Sequence, residues 1–71
     1  MTLQEAEAML GRRKVQAFRG ASTAALEGCM VNTKRVIKTQ SKAKVPRPNL
    51  QWWQADLAVM RGELRRRQEG Q

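Results

Sequence analysis

The 71 residues predict a mainly α fold, a single small domain built as an antiparallel helical hairpin with a basic, proline-containing connector. Three observations predict it. Apolar residues recur at steps of three and four in both halves of the chain, the period of one helix face. Pro46 and Pro48 separate the two periodic stretches, and the residue before a proline is pushed out of helical geometry. Cys29 is the sole cysteine and histidine is absent, so neither an internal disulfide nor a zinc site is expected to hold the chain together. A domain of about 60 residues buries only about 60% of the surface its unfolded chain exposes, which leaves helix packing or a partner to supply stability.

The first helix, about residues 2–28, opens at Thr2, which forms a capping box with Glu5. Glu5 and Glu7 lie at the positive end of the helix dipole, with Arg12, Arg13 and Lys14 downstream. Leu3, Ala6 and Leu10 share a face until Gly11 interrupts. The stripe resumes in shifted phase through Val15, Phe18, Ser22, Leu26, Cys29, Met30, Thr33, Val36 and Ile37, which makes Cys29 a small apolar filler. Gly28 reads as a left-handed helix end. Residues 29–40 then either continue as helix or pair as a short hairpin, giving α-β-β-α as the alternative fold. The β-branched cluster in "MVNTKRVIKT" suits strands. Paired as strands, however, Val31 and Ile37 would share a face with Arg35, and Met30 and Val36 would share one with Lys34 and Lys38.

Residues 41–48 read as a loop carrying Lys42, Lys44 and Arg47, and Asn49 as the N-cap of a helix over 49–67. In that helix Leu50, Trp53, Leu57, Met60 and Leu64 form a seam. It is expected to close on Leu3, Leu10, Val15, Phe18 and Leu26. Trp53 belongs to the core. Trp52 points roughly 100° away, toward a neighbouring face shared with Asp56, Val59 and Glu63, and either shields the rim or contacts a partner. Glu63 and Arg67 stand at i,i+4 spacing. Arg65, Arg66 and Arg67 suit the negative end of the dipole and lead into a basic C-terminal tail.

Fourteen Lys and Arg against six Asp and Glu give a net charge of +8 and a pI near 11.2. That imbalance points to an anionic neighbour, be it nucleic acid, an acidic protein face or a membrane surface, of which the membrane is not the expected partner. No apolar run approaches the roughly 20 residues of a membrane span, and "MTLQEAEAML" begins with acids where a secretory leader would carry a basic region. A reducing compartment is expected, the bacterial cytoplasm and then a virion. Catalysis is not expected. Without His, acid–base work would fall to carboxylates, Lys or the lone Cys, and the glycines stand too far apart to cradle a phosphate. No cofactor, metal or small-molecule substrate is implied. The residues expected to meet a partner or an anion are Arg12, Arg13, Lys14, Lys42, Lys44, Arg47, Trp52, Arg65, Arg66 and Arg67.

Two patterns carry more specific expectations. "TLQEAEAMLGRRKVQAFRG" is similar to a helix-turn-helix opening whose second helix would enter the major groove with Arg12, Arg13 and Lys14. The chain as a whole resembles the tailed-phage head–tail joining proteins of the lambda gpW type. The residues that carry this are the opening "MTLQEAEAML", the middle "KRVIKTQSKAKV" and the closing "NLQWWQADLAVMRGELRRR". The resemblance implies two helices flanking a hairpin, and a small, basic, non-enzymatic virion assembly protein that joins head to tail. It also implies contacts with portal or other virion proteins in a multi-copy ring, beside DNA. A small phage regulator that grips nucleic acid or a host protein fits the same charge.

Overall fold

The computed structural model describes residues 2–42 and 49–70. They form four helices: α1 Leu3–Leu10, α2 Arg12–Gly20, α3 Thr23–Ser41 and α4 Leu50–Glu69. The mainly α expectation holds. No strand occurs among the described residues, which corrects the α-β-β-α alternative and the hairpin implied by the phage resemblance. Residues 29–40 continue as helix because Leu26, Met30, Thr33 and Ile37 fall on one face, the inner one.

The expected helix over 2–28 is broken twice. Gly11 adopts φ +90°, a backbone angle that L side chains rarely take, and its N–H closes α1 on the Glu7 carbonyl at 3.0 Å. The second break is at Ala21 and Ser22, both extended. Ser22, placed by sequence on a continuous stripe, instead caps α3, its hydroxyl accepting from the Ala25 N–H at 3.1 Å. At the first cap Thr2 accepts from the Glu5 N–H, while its hydroxyl donates to the Glu5 carboxylate.

Gly28 ends nothing. It lies inside α3 with ordinary helical φ and open space where a Cβ would be. Gly28→Ala is therefore expected to raise stability by about 1 kcal/mol, seen as a rise of about 4–8 °C in the melting temperature. Cys29, expected inside, is exposed.

α4 is the central element. Leu3 of α1 lies over Gly62, so close that a methyl there would sit 3.1 Å from its Cδ1. Thr33 of α3 meets Asp56, and Arg67 reaches Thr23. α3 thus runs antiparallel to α4. α2 runs back in the direction of α4, from Lys14 beside Trp52 to the Phe18 and Arg19 carbonyls beside Arg67. Covered from two sides, α4 turns inward a stripe between the expected seam and its neighbouring face: Ala55, Asp56, Val59, Met60 and Glu63. Met60 is the one residue of the expected seam that is buried. Leu50, Trp53, Leu57 and Leu64 are half-buried, so Trp53 is not the core residue its spacing suggested.

The core is Ala6, Val15, Phe18, Leu26, Ala55, Val59 and Met60, with Leu10 and Leu64 packed against it. Leu3, expected within it, is 48% exposed. The start of α4 near Asn49 is as expected, but the Asn49 side chain makes no capping bond.

Candidate functional site

The two ends of this bundle differ in charge. At the end where α4 begins, α2 starts with Arg12, Arg13 and Lys14, and the second half of α3 carries Lys34, Arg35 and Lys38, with Lys42 as its C-cap. All seven are exposed, and none has an ion-pair partner among the described residues. The one acid at this end, Asp56, is 5% exposed. The other five acids belong to the opposite half. There the ion pairs are Arg19 with Glu7, Arg65 with Glu69, and both Arg66 and Arg67 with Glu63.

Lys14 is held in place by aromatics. Its Nζ stands 5.4 Å from the Phe18 ring centroid and 5.6 Å from that of Trp52, a geometry in which the ring quadrupole attracts the ammonium. Trp53 meets Trp52 edge to face, centroids 5.1 Å apart at 90°. One indole therefore braces the other, and the pair presents a cation.

Asp56 sits just inside. The Thr33 hydroxyl donates to its Oδ2 at 3.2 Å, while Oδ1 has no partner among the described residues; Gln40 Oε1 and Trp53 Nε1 are likewise buried without one there. Burial pushes the Asp56 carboxyl above its ordinary range, and the Thr33 bond and the Lys14 charge pull it back only in part. The folded chain thus holds this proton more tightly than the unfolded one. That contribution to stability is complete below the unfolded value of 3.8 and is lost as pH rises through the raised one. Asp56→Asn keeps an acceptor for Thr33 and is expected to melt higher than the parent at pH 7, with the gap closing on acidification. Thermal melts of both proteins across that range check it.

Glu63 behaves oppositely. Arg66 donates to it at 2.8 and 3.1 Å and Arg67 at 3.1 Å. The Arg66 bond above all holds its carboxyl below the usual range, so its contribution exists above 4.5 and fades as pH falls through the lowered value.

Of the residues expected to meet an anion, Arg12, Arg13, Lys14, Lys42 and Trp52 come together at one end. Lys44 and Arg47 lie outside the described residues. Arg65, Arg66 and Arg67 are at the opposite end, each already paired with a carboxylate. Arg67 is a structural clamp: it donates to the carbonyls of Ala21 at 2.6 Å, Arg19 at 3.2 Å and Phe18 at 3.3 Å, and to the Thr23 hydroxyl at 3.2 Å. Lys34, Arg35 and Lys38 were missed by the motif reading. Their signal was present, since no acid occurs between Glu27 and Asp56.

The described residues hold no group of three His, Cys, Asp or Glu that could bind a metal ion, and no described helix is long and apolar enough to cross a membrane. No protein-family model, curated protein or solved structure matches the chain.

Proposed function

We propose that the chain is a non-catalytic nucleic-acid-binding protein whose cationic end grips the phosphate backbone. One observation carries the reading: seven exposed cations without carboxylate partners among the described residues share one end, while all acids but the buried Asp56 sit in the other half among paired arginines. Sequence-independent binding to nucleic acid is driven by just such cations, each releasing a counterion from a phosphate. An acidic protein face would also attract them, but with a weaker dependence on salt. The head–tail joining role implied by the phage resemblance is a narrower case of the same reading, in which copies ringed on a portal would turn these ends toward DNA.

The test is the affinity of the whole chain for a labelled oligonucleotide duplex over a salt series. With four to seven phosphates neutralised, log K is expected to fall against log salt with a slope of about −4 to −6. Arg12→Ala with Arg13→Ala, or Lys34→Ala with Lys38→Ala, should flatten that slope by about 2 in either case. Arg65→Ala with Arg66→Ala should leave it unchanged. A slope near zero, or one that answers only to the Arg65 and Arg66 pair, would refute the reading.

A further inference from the structure

We infer that the nucleic acid is duplex DNA in the B form and that the outer face of α3 lies in its major groove. The inference rests on the nucleic-acid reading above and goes further in naming the helix, the groove and the polymer.

Arg35 stands about 180° around α3 from Leu26, the residue most deeply buried on that helix. It is therefore the outermost point of a face that includes Val31, Thr39 and Lys42, all exposed. Lys34 and Lys38 lie along one side of this ridge. The i,i+4 spacing of Lys34, Lys38 and Lys42 sets successive ammonium stems about 6 Å apart along the axis, a rail for phosphates. The ridge itself carries base-reading chemistry: a guanidinium for guanine O6 and N7, a hydroxyl at Thr39, and at Val31, 54% exposed, an apolar contact for a thymine methyl.

A helix with its side chains is about 10–12 Å across, and the major groove of B-DNA is about 12 Å wide. The major groove of duplex RNA is too narrow to admit side chains. Single strands are instead bound by stacking bases on free aromatic faces. Here the Trp52 ring is taken up by Lys14 and stands at right angles against Trp53, and Phe18 is buried. α2, the groove helix that the helix-turn-helix likeness pointed to, is poorly suited. It has nine residues, Arg19 is paired with Glu7, and its last carbonyls are held by Arg67.

The experiment uses the whole chain and three labelled probes with equal phosphate counts: a mixed-sequence DNA duplex, a DNA single strand and an RNA duplex. The DNA duplex is expected to bind at least about tenfold more tightly than either other probe. Arg35→Ala, an exposed change that spares the core, is expected to lower that affinity about tenfold. Dimethyl sulfate footprinting should show protection at guanine N7, in the major groove. Equal or tighter binding of the single strand or the RNA duplex, or protection confined to adenine N3 in the minor groove, would overturn the placement of α3 while leaving the nucleic-acid reading intact. Failure of all three probes to bind in a salt-dependent way would overturn both.

Discussion

Met60→Ala is expected to leave most of the protein unfolded at room temperature. Met60 and Leu26 are the two largest side chains with essentially no exposure, and Met60 sits where α4 is covered from both sides. Truncating a buried Met or Leu to Ala removes its transfer free energy and leaves a cavity, together about 2–5 kcal/mol. A core of this size supplies only about 3–5 kcal/mol of net stability. The loss and the reserve are of the same order, so folding fails. Far-UV circular dichroism with a urea titration checks it. Met60→Leu, which keeps the volume, should cost less than about 1.5 kcal/mol, and Leu57→Ala, at a half-buried site, less than Met60→Ala. If Met60→Ala and Leu57→Ala unfold at the same urea concentration, α4 faces its partners in the phase the heptad spacing suggested and not the one described above.

Arg67→Ala is expected to cost about 2–3 kcal/mol, whereas Arg65→Ala, two residues away, should change the melting temperature little. Hydrogen bonds to charged groups contribute roughly 1.5–3 kcal/mol, and a partner left buried costs more. Arg67 joins three elements: it bonds Glu63 on its own helix, three carbonyls at the end of α2, and Thr23 in the first turn of α3. Its loss would also leave Glu63, 7% exposed, with Arg66 as its one partner. Arg65 is 82% exposed and meets only Glu69, itself 69% exposed, a pair of the kind that contributes little. Arg67→Lys should not restore the parent, because an ammonium cannot reproduce the planar fork that spans the carbonyls. Thermal melts of the three variants decide it. Equal losses for Arg65→Ala and Arg67→Ala would mean that the clamp adds nothing beyond surface charge.

How much of this was legible in the sequence depends on whether the signal was local. The Thr2 cap, the Gly11 break, the start of α4 and the Glu63–Arg67 pair were readable because each involves residues no more than four apart. Ser22 was readable in principle, but its place on an apolar period hid its capping role. The phase of α4 was not legible. Its seam of Leu50, Trp53, Leu57, Met60 and Leu64 assumes one partner, and packing against α1, α2 and α3 shifts the buried stripe onto Asp56 and Glu63, which only Thr33 and two arginines make tolerable inside. Gly28 and Cys29 failed in the same way: whether a glycine caps or continues a helix, and which way a thiol points, depends on what lies across from it.

The candidate site divides along the same line. Arg12, Arg13, Lys14, Lys42 and Trp52 were found as basic or aromatic clusters along the chain. The gathering of Arg12, Arg13, Lys14 and Trp52 beside Lys34, Arg35, Lys38 and Lys42 is a product of antiparallel packing. The consecutive arginines at 65–67 stood out as a run, yet Glu63 and Glu69 hold all three in ion pairs and offset two of their three charges.

The segregation of charge along the bundle also bears on kinetics. With excess positive charge at one pole and near balance at the other, the molecule has a permanent electric dipole along its length in addition to its net charge. In the field of a polyanion such a body feels a torque as well as a pull, and it arrives already turned with its cationic pole leading. The orientational search that ordinarily holds docking rates near 10⁵–10⁷ M⁻¹s⁻¹ is shortened, and the gain shrinks as added salt brings the Debye length down toward about 8 Å.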